Sequence, residues 1–504
     1  MTSLNELKDK WFIDVNDATN FPPRARYPGS KIKPHTDGNL VEPLIDGAQI
    51  MGDFYKRLEQ MIHSDDPSQT NAMLASMGID PVKPLGEDMA GEDIKTKLIE
   101  AAEKGVNVYF LVSGQPGLGL FSESFSKDLN EKGGHGAVDK RFAGFAGGHH
   151  QKFNITRDYD GEWTGIASSA DFFYARWDTP SHSPVNPARS KKGGPTHDTG
   201  LKVKGPSVRD LMLSFVERWN DPSSAYYTSP AITGKIEGDF PEEEFPRAGP
   251  HSVQVLRTYP IIDSKKKYSW SDVGEYTIWA SYLNAIKQAQ RYIYVEDQYF
   301  YTFHDPPFIE TSTDRKRDTD YIYQMGEALK RGVDIVALCP GRNNAFWKHY
   351  EIRQRRIAAQ YLREISESHR GAGNFVICTM NTGGSDAVIH SKLLMVDDEF
   401  VMIGSANMCQ RSIANLTELN LGVVDPEDKL VRDLRLNLWQ EHLELNSPES
   451  LLDSRLGVEQ WHDNAAEGKG RLQLFRSVRP RIEFPYRFLF NKLVDPYNGP
   501  PRNS

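Results

Sequence analysis

Cysteine is scarce in this chain. Only three occur among 504 residues, at Cys339, Cys378 and Cys409. No two of them form a Cys-x-x-Cys pair, so the sequence offers neither a zinc-binding pattern nor a disulfide framework. Such scarcity is typical of a protein that keeps its thiols reduced, as in the cytosol.

Long apolar runs are missing as well. No stretch approaches the ~18 uninterrupted apolar residues of a membrane-spanning helix. Residues 1–20 also lack the basic start and apolar core of a secretory signal. We therefore expect a cytoplasmic protein, or one that touches membranes only peripherally. Export would have to use a route that does not depend on such a signal.

A positive charge excess is also absent, because the formal net charge is −9. Proteins that bind nucleic acid through its phosphates usually carry a basic balance, so nucleic acid is not expected as the main partner. The length suffices for two or three ordinary domains or for one large unit of two lobes.

The two halves of the chain repeat the same order of elements. Residues 92–105 form a predicted amphipathic helix that ends at a glycine, and residues 320–332 form a matching one. Each is followed by a short, almost wholly apolar run, which is typical of a parallel strand buried on both faces. In each half a His-x-Lys triplet, an acidic extended segment and a closing helix then follow.

This repeat predicts an α/β fold with two similar lobes, each a mixed sheet flanked by helices, and a site in the cleft between them. One element breaks the match. The helix over residues 276–290 leads into a strand, whereas the helix over residues 50–62 leads into loop-like residues, so the first lobe is predicted to lack that strand. The predicted divisions are an N-terminal segment (1–40), a first lobe (41–220), a linker (221–250), a second lobe (251–445) and a C-terminal tail that wraps the lobes (446–504).

The only two His-x-Lys triplets of the chain begin at His150 and His390. Alternate side chains of a strand point to the same face, so each histidine and its lysine, Lys152 or Lys392, should enter one cavity. Two imidazoles and two positive charges suit a phosphodiester substrate. The lysines would offset the phosphate charge, one imidazole could attack phosphorus, and the other could transfer protons.

The second triplet continues to Asp397 and then to a Gly-Ser-Ala-Asn segment at residues 404–407. In this form it resembles the HKD motif of the phospholipase D superfamily, in which two copies join in one active site. Residues 178–182, 195–198, 295–300 and 404–412 are similar to the phosphatidylcholine-cleaving branch shared by plants and some bacteria. The resemblance extends from about residue 44 to residue 443.

The first copy of the motif departs from this pattern. Arg157 stands where the second copy has Asp397, and Ser168 with Ser169 replaces the expected glycine pair. Asp171 occupies the place of the amide or acid. We expect Asp397 to support the local hairpin rather than to take part in chemistry.

The resemblance implies a role for each site residue. It makes His150 the nucleophile, through a phosphohistidine, and His390 the general acid and base, although spacing alone does not distinguish the two. Each imidazole needs a carboxylate from the other half, so Glu418 is expected to orient His150 and Asp198 to orient His390. The expected substrate-binding residues are Ser169, Asp171, Ser405 and Asn407.

A metal site is the alternative explanation for paired histidines. Here a lysine follows each histidine on the same face, and its charge would repel a cation. The sequence therefore predicts a site without metal or cofactor.

The predicted function is that of a phospholipase D. It would hydrolyse phosphatidylcholine-like lipids at a membrane surface to phosphatidic acid and the free headgroup, and transfer the phosphatidyl group to primary alcohols. A nuclease or phosphatidyltransferase of the same superfamily is one alternative. Another is a lipid-binding or toxin-like interaction protein with a decayed first motif, for which Arg157 and Ser168 are the support.

Overall fold

The computed structural model describes residues 3–475 apart from 18–25, 28, 87–90, 115–118, 143–146, 190–192, 230–233, 262–266, 271–273, 303–317, 342–347 and 469. The part of the predicted C-terminal tail beyond residue 475 lies outside the described residues. The strands are β1 (Thr36–Ile45), β2 (Asn71–Ser76), β3 (Asn107–Ser113), β4 (His135–Asp139), β5 (Gly148–His149), β6 (Phe153–Arg157), β7 (Trp163–Ser168), β8 (Thr196–His197), β9 (Thr199–Lys204), β10 (Thr228–Ser229), β11 (His251–Tyr259), β12 (Glu275–Tyr276), β13 (Tyr292–Asp297), β14 (Asp334–Leu338), β15 (Phe375–Thr382), β16 (Ser385–Asp386), β17 (Val388–Ile389), β18 (Lys392–Val396), β19 (Phe400–Gly404), β20 (Leu416–Val424) and β21 (Leu472–Leu474).

The two halves build mixed sheets with the same strand order. In the first, β4, β3 and β2 run parallel, and β6, β7 and β9 continue the sheet in antiparallel pairs. In the second, β15, β14 and β13 run parallel, followed by antiparallel β18, β19 and β20. The predicted α/β fold with a repeated, mixed sheet is thereby confirmed.

The first strand joins the two sheets. Its start, from Thr36 to Asn39, pairs with β11 of the second half, and its remainder, from Leu40, pairs with β9 of the first. The register shifts at Gly38, whose φ of +91° is a backbone conformation that favours glycine. β1 therefore begins within the predicted N-terminal segment, and β10, within the predicted linker, pairs with β4.

The prediction that the first lobe lacks a strand after residue 62 was wrong. Residues 63–70 do form a loop, which contains a short 3-10 turn at Pro67–Gln69, but β2 follows it directly. β2 lies between β3 and β6, where β13 lies in the second half. Between helix and strand the first half has eight residues, 63–70, where the second half has only three, 289–291, so a comparison that allowed no insertion missed the strand.

Helices cover both faces of the sheets. A central apolar core includes residues of both sheets together with the helices Ser207–Trp219 and Leu430–Leu443, and two outer cores lie beneath the other main helices. This burial on both faces explains the apolar runs of β3 and β14. No described helix combines the length and the hydropathy needed to span a bilayer. The remaining helices are Leu4–Trp11, Asp46–Ile62, Ile94–Glu103, Gly119–Glu131, Ser224–Tyr227, Thr277–Gln288, Tyr321–Lys330, Lys348–Ser368, Gln410–Ala414 and Ser454–Glu467.

Candidate active site

Two short parallel strand pairs cross from one lobe to the other. β5 pairs with the start of β20, which sets His149 beside Thr417. β17 pairs with β8, which sets Ile389 beside His197. The residue that follows each of these four positions is a predicted site residue. The crossings therefore bring each predicted catalytic histidine next to an acidic residue of the other half.

The predicted histidine–carboxylate pairs are both present. His150 Nδ1 lies 2.9 Å from Glu418 Oε1 and 3.0 Å from Oε2. His390 Nδ1 lies 2.7 Å from Asp198 Oδ1. All four groups are buried or nearly so, and each pair combines residues from the two lobes. This geometry leaves Nε2 of each imidazole as the atom that can meet a substrate.

The two lysines are buried beside their histidines. Lys152 Nζ donates to the His150 carbonyl oxygen at 2.8 Å, and Lys392 Nζ donates to that of His390. Burial lowers the pKa of Lys392 to about 7, against the opposing effect of Asp198. The lysines therefore stabilise the triplet backbone as well as supplying positive charge to the cleft.

Each lysine has a further carboxylate nearby, and this carboxylate comes from a different structural element in each lobe. Asp171 lies 3.3 Å from Lys152 Nζ and accepts a hydrogen bond from Ser76 Oγ at 2.8 Å. In the second lobe the position of Asp171 is taken by Asn407. There the carboxylate comes from Asp297, at the end of β13, which accepts from the Met408 backbone N–H at 2.9 Å. Asp297 was missed from the sequence, because its counterpart position lies on the unpredicted β2.

The site serines contact the carboxylates of the two pairs. Ser169 Oγ donates to Asp198 Oδ1 at 2.6 Å, and Ser405 Oγ donates to Glu418 Oε2 at 2.5 Å. Ser412, which the sequence prediction omitted, donates to Glu418 Oε1 at 2.6 Å. These hydroxyls orient the carboxylates of the two pairs.

The replaced glycine of the first copy is matched by a change on the neighbouring strand. Gly404 pairs with Asn420, and a Cβ on Gly404 would lie 2.2 Å from the carbonyl oxygen of Leu419. In the first copy Ser168 pairs instead with Gly200, which leaves room for the serine side chain. In the first copy the glycine therefore lies on the neighbouring strand, at Gly200, and not in the motif itself. The altered motif keeps the strand pairing that positions Ser169.

Arg157 supports the hairpin of the first copy as Asp397 supports that of the second. Arg157 donates a hydrogen bond, whereas Asp397 accepts them. Asp397 accepts hydrogen bonds from the backbone N–H groups of residues 290–292, just before β13. Arg157 donates to the carbonyl oxygen of Gln69, just before β2, at 2.8 Å. Both contacts attach the triplet hairpin to the neighbouring strand, as expected for a residue that supports the site without entering it.

Burial and the nearby positive charges both disfavour protonation of the two imidazoles. Burial lowers the pKa of both His150 and His390 well below the usual imidazole value, and Lys152 and Lys392 act in the same direction. Arg176 adds to this effect on His390, and Arg411 on His150. Both imidazoles are therefore neutral at rest. The two arginines were missed, although Arg411 lies in the segment 404–412.

The two carboxyl groups differ in their hydrogen bonds. Both oxygens of Glu418 have donors, whereas Asp198 receives both contacts on Oδ1, and its Oδ2 is buried without a hydrogen-bond partner among the described residues. Several donors stabilise a carboxylate in its charged form. Glu418 thus suits an anion that keeps His150 protonated at Nδ1, with Nε2 unprotonated.

Burial raises the pKa of Asp198 to about 6 and that of Glu418 to about 8. This order is opposite to the one that the hydrogen bonds indicate. Three donors converge on Glu418, and each of them favours its ionised form, so Glu418 is assigned as the anion. Asp198, with one bare oxygen, suits a pair that takes up and releases a proton.

A second polar cluster lies directly behind Asp198. His197 Nδ1 is 2.9 Å from Asp46 Oδ1, and its Nε2 is 3.0 Å from Glu296 Oε2. His182 Nε2 is 3.2 Å from Glu441 Oε1. Nitrogen and carboxylate donors of this kind could hold a divalent cation. The converging sets are Asp46, His182, His197 and Glu441, and His197, Glu296 and His442.

The cluster is also balanced without a metal. Although burial opposes it, the nearby carboxylates raise the pKa of His197 well above the usual value and that of His182 to about 9. The positive charges of these two imidazolium groups offset the negative charges of the surrounding carboxylates. A cation would therefore have to displace bound protons.

We expect a chelator to leave turnover of a soluble phosphodiester unchanged. The catalytic pairs share no donor atom with the cluster, and the lysines of the cleft already supply its positive charge. The measurement is kcat after exhaustive chelation, compared with the untreated protein. Loss of turnover that a divalent ion restores would contradict the metal-free mechanism.

Fold and site together define the class of protein: a duplicated α/β protein whose halves share one histidine–lysine site. A family model described as "Cardiolipin synthase, PLD-like domain" matches residues 282–440, and one described as "Phospholipase D" matches residues 164–305. Phospholipase D A of Dictyostelium discoideum is 25% identical over 291 residues, which cover 50% of this chain and 21% of that protein. Phospholipase D alpha 4 of Arabidopsis thaliana is 24% identical over 397 residues, which cover 60% of this chain and 51% of that protein.

These curated relatives are longer proteins, of which the chain spans about half or less. The solved structure of phosphatidylserine synthase from Haemophilus influenzae shares the fold, with a TM-score of 0.52 and 13% identity, over 85% of this chain and 94% of that one. The matches support the assignment of the chain to the phospholipase D superfamily, which confirms the resemblance seen in the motifs.

Proposed function

We propose that the protein is a phospholipase D that hydrolyses phosphatidylcholine-like lipids to phosphatidic acid and the free headgroup alcohol. The observation that carries this proposal is the pair of crossed contacts, His150 with Glu418 and His390 with Asp198, beside two buried lysines. A phosphodiester resists attack because its oxygens repel nucleophiles. Fixed positive charge and an in-line nucleophile remove that obstacle.

In the first step His150 Nε2 attacks phosphorus and the bond from phosphorus to the headgroup oxygen breaks. Glu418 stabilises the positive charge that develops on the imidazole. His390 donates its Nε2 proton to the leaving oxygen, and a proton on Asp198 passes to His390 Nδ1. The product of this step is a phosphatidyl group on His150.

In the second step a hydroxyl oxygen attacks the same phosphorus. His390 takes the proton of that hydroxyl, the bond between phosphorus and nitrogen breaks, and His150 is restored. With water the product is phosphatidic acid. With an alcohol it is a phosphatidyl alcohol, because no described residue of the two catalytic pairs distinguishes water from another small hydroxyl.

Added 1-propanol should divert part of the product from phosphatidic acid to phosphatidylpropanol, with headgroup release little changed. The physical reason is that the alcohol competes only in the second step, after the headgroup has left. Phosphatidylcholine vesicles with a labelled headgroup and labelled acyl chains report both steps at once. Configuration at phosphorus should be retained, because two in-line displacements invert it twice.

The control is His150→Ala, which should release no headgroup with or without alcohol. Inversion at phosphorus, or the absence of any alcohol product at concentrations that the fold survives, would show direct attack by water. A single-stranded DNA arm in the same assay tests the nuclease alternative. A protein that binds vesicles but cleaves neither substrate would be the interaction protein with a decayed first motif.

Phosphatidyl transfer is the second candidate, favoured by the family match over residues 282–440. It uses the same covalent step and differs only in the acceptor. An assay with phosphatidylglycerol or free glycerol as the acceptor distinguishes phosphatidyl transfer from hydrolysis. A transferase should prefer such an acceptor to water at equal accessibility, whereas a hydrolase should give mainly phosphatidic acid.

A further inference from the structure

His149, next to the proposed nucleophile, is buried. Its Nδ1 lies 3.1 Å from Thr417 Oγ1 and 3.4 Å from the Tyr268 hydroxyl. Its Nε2 lies 3.0 Å from Asp139 Oδ2, away from ideal hydrogen-bond geometry, so this contact is mainly electrostatic. Each ring nitrogen of His149 thus has a defined neighbour.

Asp139 determines which nitrogen of His149 carries the proton. Its carboxylate accepts from Arg141 Nε at 2.9 Å and from Arg218 Nε at 3.2 Å, and these arginines hold its pKa well below the usual value despite burial. Burial also lowers the pKa of His149 to about 3, so the ring is neutral. A neutral ring beside an anion places its proton on Nε2. Nδ1 is then the acceptor for the Thr417 hydroxyl.

The Thr417 contact leads directly to the catalytic pair. Thr417 pairs with His149 across the lobes, and its carbonyl oxygen accepts from the His150 backbone N–H at 2.9 Å. The next residue is Glu418, which contacts His150 Nδ1. A change in the position of Thr417 would therefore move the carboxylate relative to the imidazole that it orients.

The other catalytic pair has the same arrangement with the strands exchanged. There the extra imidazole, His197, precedes the carboxylate Asp198, and the residue before His390 is Ile389. His197 also lies between carboxylates, Asp46 and Glu296. Each lobe crossing thus places one buried imidazole, held by acidic groups, behind a histidine–carboxylate pair. Chance packing would not be expected to repeat this on exchanged strands.

We propose that His149 is a positioning residue: in one tautomer it holds Thr417, and through it Glu418, against His150. The inference rests on the proposed function, in which His150 is the nucleophile. It assigns His149 no contact with substrate. The atom that matters is Nδ1, the acceptor for the threonine hydroxyl.

Two amide variants separate the two ring nitrogens. His149→Asn presents an oxygen near the place of Nδ1, whereas His149→Gln extends its amide toward the place of Nε2. We expect kcat on a soluble phosphodiester to stay within about 3-fold of wild type in His149→Asn and to fall about 10-fold or more in His149→Gln, with KM unchanged in both. Thr417→Val should match His149→Gln, and Thr417→Ser should match wild type.

The Thr417 variants keep the buried ring, so they test the contact even where a His149 variant fails to fold. Spectra of ¹⁵N-histidine add a readout that does not depend on turnover. The titration of His150 should shift in His149→Gln and in Thr417→Val and remain at its wild-type position in His149→Asn and Thr417→Ser. An unshifted His150 titration in Thr417→Val, or kcat that follows unfolding temperature and not the Nδ1 acceptor, would overturn the proposal. A wild-type protein without phosphodiesterase activity would instead refute the proposed function and leave the spectra to decide on His149.

Discussion

Replacing His150 with alanine should abolish phosphoenzyme formation and lower turnover by about 10⁴-fold or more, because no other group can attack phosphorus from its place. His390→Ala should lower turnover of lipid to a similar degree for a different reason. Its phosphoenzyme would form with a leaving group that needs no proton, such as p-nitrophenolate, and would then persist. Quenching the reaction and locating acid-labile phosphate on peptides measures both outcomes.

The matched control is His462→Ala, since His462 is exposed and belongs to the helix Ser454–Glu467, away from both pairs. It should leave phosphoenzyme formation and turnover at the wild-type level. Phosphate trapped on His390, with His390→Ala unable to form the intermediate, would reverse the two roles.

Glu418→Gln should lower kcat about 10³-fold or more while the protein stays folded, because the amide cannot stabilise charge on His150. It also turns an acceptor that serves Ser405, Ser412 and His150 into a mixed donor and acceptor. Asp198→Asn should give a comparable loss with lipid. With p-nitrophenyl substrates, however, Asp198→Asn should still form the phosphoenzyme and hydrolyse it slowly.

The measurement for Glu418→Gln is kcat together with the unfolding temperature, which shows whether the variant is folded. Wild-type kcat in a folded Glu418→Gln would contradict this account of the pair.

The repeated elements were predictable because they depend on local pattern. An amphipathic helix that ends at glycine and an apolar strand after it are written in consecutive residues, so both were located in each half. The duplicated triplet was equally local, and it indicated His150, Lys152, His390 and Lys392 as the centre of the site. The carboxylate partners followed from the requirement that each imidazole be held in one tautomer.

The tertiary structure decided what depends on contacts between distant residues. β2 could not be predicted behind an eight-residue loop, because its place is defined by β3 and β6 on either side. The orientation of Ser169 and Ser405 toward Asp198 and Glu418 depends on strand pairing, which no spacing along the chain encodes.

The same holds for the compensation at the altered first motif. Ser168 is compatible with the fold only because Gly200 faces it, and Arg157 supports its hairpin only because Gln69 presents a carbonyl oxygen there. The sequence by itself determined the fold class, the duplication and the four residues of the triplets. The packing of the two lobes decided which groups orient them, because hydrogen bonds and burial join residues that the chain order separates by up to 268 positions.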